Sequence, residues 1–177
     1  MSISKRIAIL VDDNFEQAEF TSPKRALAEA GFEVDVVSPE SEVHGLHHID
    51  PGDTFKVDRA LDDAQPSDYA AVILPGGAIN ADKLRMNEKA RKFVNQIYEA
   101  DKVVAAICHA PWLLVSNGLA SGHKLTSYFT IQDDIRNAGG NWVDEEVVID
   151  GNLITSRKPD DLPAFNQAII EQLGGEN

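Results

Sequence analysis

Residues 103–107, Val-Val-Ala-Ala-Ile, form an apolar run with no polar alternation. A strand with one wet face alternates polar and apolar residues. A strand that does not alternate must be covered on both faces, as central parallel strands are. The run stops at Cys108-His109-Ala110-Pro111, and Trp112-Leu113-Leu114-Val115 follows. Pro111 suits the first turn of a helix, where its missing N–H removes no hydrogen bond. Strand, sharp turn and short helix are therefore expected in immediate succession. Similar runs at 6–11 and 70–74 end in Asp12-Asp13-Asn14 and Pro75-Gly76-Gly77.

Between these runs the spacing turns helical. It does so from about Glu16, with Ser22-Pro23 marking a second helix start and Gly31 the stop. Residues 33–38 alternate as a strand, and 44–58 are polar and turn-rich, suiting a small hairpin. Helices are expected over 87–100, 131–138 and 160–173, with a short strand near Leu125. Asp150-Gly151-Asn152 marks a hairpin turn between 147–149 and 153–155. Repeated strand–helix alternation predicts an α/β fold, a mostly parallel sheet with helices on both faces. Ligands of such sheets bind beyond the carboxyl ends of the strands, so residues 12–16, 75–77 and 108–111 should converge.

At 177 residues the chain fits a single domain, 1–177, large enough for a core without disulfides. Its single cysteine cannot make an internal disulfide, which favours a reducing, cytoplasmic setting. No signal peptide or membrane-spanning run is recognised, so no membrane partner is expected. The net charge of −13 argues against nucleic acid as a principal partner, since phosphate binding needs a basic face.

Cys108 on a strand-to-helix turn has the setting of a nucleophile elbow. Helix N-terminal N–H groups there favour thiolate over thiol, with His109 as the adjacent candidate base. The competing reading is a buried structural thiol. Glu16 could point into the same crevice, and a protonated Glu16 donating to the sulfur would avoid two charges side by side. It could equally serve the helix dipole. Pro75-Gly76-Gly77 clears side chains from the turn, so the N–H groups of Gly77 and His109 could form an oxyanion hole. Asp12-Asp13 resembles the acidic pair of a receiver domain, but Pro75 stands where that fold needs its phosphorylated aspartate. His44, His47 and His48 match no metal signature, and no nucleotide motif is present, so no metal and no cofactor are expected.

Several motifs together resemble the PfpI/ThiJ superfamily, specifically its PfpI-type intracellular cysteine peptidases and general stress proteins. They are Phe15-Glu16, Leu74-Pro75-Gly76-Gly77, Ala106-Ile107-Cys108-His109, Asn137-Ala138-Gly139, Trp142-Val143-Asp144, Glu146-Val147-Val148, Thr155-Ser156-Arg157 and the segment 159–165. The resemblance implies a flavodoxin-like three-layer sandwich related to class I glutamine amidotransferases. It implies Cys108 as nucleophile, Glu16 as the carboxyl group beside its sulfur and His109 as the triad histidine. Asp82 corresponds to an acidic third member supplied by a neighbouring subunit, and Tyr128 to a pocket tyrosine. A homodimer or a hexamer built from dimers is implied. The expected activity is a stress-response cysteine hydrolase, acting on reactive aldehydes and glycated adducts (deglycase or glyoxalase chemistry) or on peptide bonds. The alternative is a redox-sensing stress protein or chaperone that uses an oxidisable Cys108 without turnover. A glutamine amidotransferase would carry its histidine far downstream, and His123 is the last histidine here.

Overall fold

The computed structural model describes residues 4–175; residues 1–3, part of the N-terminal segment read for a signal peptide, lie outside them. In chain order the elements are β1 (Arg6–Leu10), β2 (Phe15–Glu16), α1 (Gln17–Glu29), β3 (Glu33–Ser38), β4 (Glu42–His47), β5 (Asp50–Lys56), β6 (Arg59–Ala60) and β7 (Ala71–Leu74). They continue with α2 (Ala78–Met86), α3 (Glu88–Glu99), β8 (Val103–Ile107), α4 (Pro111–Ser116), β9 (Lys124–Leu125), α5 (Gln132–Asn137), β10 (Asn141–Trp142), β11 (Val148–Asp150), β12 (Leu153–Ser156) and α6 (Leu162–Gln172).

The main sheet runs β11-β12-β8-β7-β1-β3-β6, and only the β11–β12 pair is antiparallel. Successive side chains of a strand point to opposite faces, which explains why β8 throughout, and β1 beyond Arg6, carry apolar residues without a break. Ile7, Ile9, Ala105 and Ile107 pack with Phe20 and Leu27 of α1 and with Phe165 and Ile169 of α6. Ala8, Leu10, Val104 and Ala106 pack on the other face with Phe93 and Ile97 of α3, Leu113 of α4 and Ile135 of α5. The result is the three-layer α/β sandwich that the alternation predicted.

Two local expectations change. Ser22-Pro23 does not start a second helix: α1 is continuous, with Pro23 inside it. Proline there forfeits the bond to the Glu19 carbonyl, and burial of Phe20, Pro23 and Leu27 holds the helix together regardless. The helix α2 directly follows the glycine pair, where the sequence offers no apolar stripe. The polar segment around the histidines forms a β4–β5 hairpin, which extends β2 into a small three-stranded sheet beside the site.

The turn after β12 is pinned by one carboxylate. Asp161 is buried and accepts from the backbone N, Nε and a terminal guanidinium nitrogen of Arg157, each at 2.9 Å. This matters to the site because the neighbouring Ser156 carbonyl holds the Cys108 N–H. Asp161→Ala strands those donors, and an unfolding loss of roughly 1–3 kcal/mol is expected in a urea melt. A midpoint within error of the unaltered protein would show the pair to be dispensable.

Candidate active site

The carboxyl ends of β1, β7 and β8 bring together the three breaks anticipated from sequence. Cys108 leaves β8 in the left-handed region, at φ 65°. That conformation costs an L-residue roughly 1–2 kcal/mol and persists only where neighbours enforce it. Here the Cys108 N–H donates to Ser156 O at 3.1 Å, and its carbonyl accepts from Tyr128 N at 2.8 Å. The elbow is thus clamped from β12 on one side and from the segment after β9 on the other. The sulfur lies 3.2 Å from His109 Nδ1. The His109 ring is stacked on Tyr128, with centroids 4.8 Å apart, and meets Trp112 edge-on at 5.3 Å. Burial holds His109 below its ordinary pKa, so its ring is neutral at neutral pH.

The carboxyl group against the sulfur is Glu19, which corrects the expectation for Glu16. Glu16 ends β2, where the alternation that buries Phe15 turns its neighbour outward. Its carboxylate accepts from the His48 N–H at 3.2 Å, at the hairpin rim. Glu19 lies one helical turn further on and is fully buried. Its Oε1 accepts from Gly76 N at 2.9 Å, while its Oε2 is buried without a hydrogen-bond partner. Burial first, and then the charge of Glu16, push the Glu19 carboxyl up to about 8. Near neutral pH it therefore carries a proton, and the nearby sulfur is the group that can accept it.

Opposing influences act on the Cys108 thiol, and on balance its pKa is pushed well above the ordinary thiol value. Burial and then the charge of Glu19 raise its pKa, and the charge of Glu16 adds to them; the Gly77 and His109 N–H groups pull it down. No oxygen among the described residues accepts either of those N–H groups, so both remain directed at the sulfur. The Glu19 contribution to the thiol vanishes when that carboxyl is protonated. Gly77 caps α2 at φ 90°, and a Cβ there would lie 2.7 Å from Glu16 N, so glycine is required by both strain and space.

Not every candidate is gathered in. Asp82 lies exposed on α2 and makes no hydrogen bond or ion pair among the described residues. Within one chain it does not reach the cysteine–histidine pair. Residues missed in the sequence are Glu19 and Asn80. Glu19 had a visible signal: with Pro23 and Leu27 it forms a stripe spaced by four, an acid on an inward helix face. Asn80 had none, because the helix carrying it lacks an amphipathic pattern.

A strained cysteine at a strand-to-helix turn of a parallel α/β sheet, paired with a buried carboxyl, defines an elbow-cysteine protein. The chain belongs to the DJ-1/PfpI family, which it matches over residues 5–172. It is 42% identical over 173 residues to the Bacillus subtilis protein named "Putative cysteine protease YraA", covering 97% of this chain and 99% of that protein. It is 41% identical over 169 residues to "Deglycase TK1284" of Thermococcus kodakarensis, covering 95% and 99%. Among solved structures, Drosophila melanogaster DJ-1beta superposes with a TM-score of 0.88 at 30% identity, covering 98% of this chain and 92% of that one. No helix of the described residues is long and apolar enough to cross a membrane.

Proposed function

We propose that the chain is a cysteine-dependent hydrolase of small reactive aldehydes and their glycated adducts. The observation that carries this reading is the Cys108–Glu19 pair. Two buried acids share one site, and only one of them can be charged at low cost. With the proton on Glu19 and the sulfur facing two free N–H groups, the pair is a nucleophile with its own acid. The thiolate adds to an aldehyde carbon, a C–S bond forms, and the carbonyl oxygen takes the Glu19 proton to give a hemithioacetal. With methylglyoxal, moving the former aldehyde hydrogen to the adjacent carbonyl carbon as a proton, and the hydroxyl proton to that carbonyl's oxygen, leaves a lactoyl thioester. Water then cleaves the C–S bond, releasing lactate and restoring the thiol.

A small carbonyl suits this site better than an extended peptide. Cys108 is only 8% exposed, beside the His109 ring that stacks on Tyr128. Surface clefts lined by Arg91 and Asn117, by Phe20 and Phe55, or by Phe32 and Leu173 do not include Cys108. His109 Nε2 has no hydrogen-bond partner among the described residues, which leaves room for Asp82 of another copy in a homo-oligomer.

The test exploits the fact that Cys108 is the only cysteine. Native protein and protein alkylated at Cys108 are incubated with methylglyoxal, a glycated amino acid and an unstructured peptide. Lactate and free amino acid should form with the native protein alone, leaving the peptide intact. Peptide cleavage lost on alkylation would replace this reading with the peptidase one. Absence of all turnover, with Cys108 gaining oxygen under mild peroxide, would leave the redox-sensor alternative standing.

A further inference from the structure

Asn80 is fully buried in the first turn of α2, and every polar atom of its side chain is engaged. Its Oδ1 accepts from Asp12 N at 2.7 Å. Its Nδ2 donates to Pro75 O and to Gly76 O, both at 3.0 Å. The Gly76 carbonyl also accepts from Glu16 N at 3.3 Å. The chain has no cis peptide bond among the described residues. Across a planar trans peptide the carbonyl oxygen and the next N–H point in opposite directions, so fixing one fixes the other. Two donors on the Gly76 oxygen therefore aim the Gly77 N–H away from them, toward Cys108.

We infer that Asn80 is a positioning residue for the anion-stabilising N–H of Gly77, tying the end of β1 and the glycine turn into one rigid cradle for negative charge at Cys108. The glycine pair alone could not hold this aim, because glycine is the residue least restricted in φ and ψ. The Asn80 amide removes that freedom at the peptide where direction matters. Asn80 makes no hydrogen bond to the sulfur, so it acts on the site through the Gly76–Gly77 peptide that it holds. A buried donor aimed at developing negative charge is worth much more than one free to turn away.

The inference rests on the proposed thiolate chemistry of Cys108, and its test separates the two. The rate of Cys108 alkylation by iodoacetamide is followed against pH in the native protein, Asn80→Asp and Asn80→Ser. Asn80→Asp keeps the acceptor for Asp12 N but turns a carboxylate on the two carbonyls. Asn80→Ser keeps a donor and crowds nothing. The expected result is a roughly tenfold lower rate at neutral pH for Asn80→Asp, a smaller drop for Asn80→Ser, and both profiles displaced to higher pH. Thermal unfolding is read in parallel. Lower melting temperatures with unchanged alkylation profiles would reduce Asn80 to a structural clamp and overturn the inference alone. A native profile resembling that of an ordinary exposed thiol would overturn the thiolate reading beneath it.

Discussion

Glu19→Gln is expected to lower Cys108-dependent turnover by a factor on the order of 10²–10⁴, the usual scale for losing a positioned acid–base group. Glutamine keeps an oxygen for the Gly76 N–H and can donate to a thiolate, but it has no proton to give the aldehyde oxygen. Alkylation of Cys108 near neutral pH should therefore survive while catalysis does not. Glu16→Gln makes the contrast, because the Glu16 carboxylate is held at the rim by the His48 N–H. Removing it takes away a charge that raises both Glu19 and Cys108, and leaves the acid in place. If Glu16→Gln were the inactive variant and Glu19→Gln the active one, the assignment of the acid would be reversed.

The same substitution has an opposite signature in stability. The Glu19 carboxyl titrates at about 8 in the fold and in the ordinary range near ~4 once unfolded. Across that interval the native state holds a proton that the unfolded chain has released. Stability is fully present below the unfolded value and falls as pH rises through about 8. Glutamine has no such charge to bury. Urea melts at about pH 5 and about pH 9 should show the unaltered protein weakening at the higher pH and Glu19→Gln weakening less. A gain in stability with a loss of turnover is the behaviour of a group kept for chemistry at structural cost. Equal pH dependence in the two proteins would remove Glu19 as its source.

Why Glu16 and not Glu19 was legible first has a physical explanation. The runs at β7 and β8 declared themselves because double-sided burial demands unbroken apolar sequence. Their breaks located the crevice, and the motif residues located Cys108, His109 and Gly77 within it. Glu16 stands nearest the first break, so proximity in sequence favoured it. The two-residue strand β2 turns its side chain to the rim, and no local pattern announces so short a strand. α2 was hidden for a related reason. Only Asn80, Ala81 and Leu84 are buried along it, while Ile79 and Met86 face out, so its apolar residues fall on both faces and no stripe marks the inward one. A site held by one asparagine and one inward acid is written in tertiary contacts, to which periodicity is blind.

Gly76→Ala is expected to abolish turnover while the fold survives weakened. The reason is space rather than backbone conformation, since Gly76 is not among the residues with positive φ. A Cβ at this position would overlap Glu19 Oε1 and come within 2.6 Å of Cys108 Cβ and 2.8 Å of Ile107 O. The last two belong to the clamped elbow and cannot retreat without releasing the φ that aims the sulfur. The added methyl must therefore displace Glu19 and break its bond from Gly76 N, separating the acid from its nucleophile. Overpacking of this kind costs roughly 1–3 kcal/mol, enough to lower a urea midpoint without unfolding a domain of this size. Gly31→Ala provides the control. Its φ of 94° imposes strain of about 1–2 kcal/mol, but its Cβ would meet nothing within 4 Å. The two variants should thus lose comparable stability and differ wholly in turnover. Comparable activity in both would mean that Glu19 and Cys108 need no close contact, and the shared-proton pair would have to be abandoned.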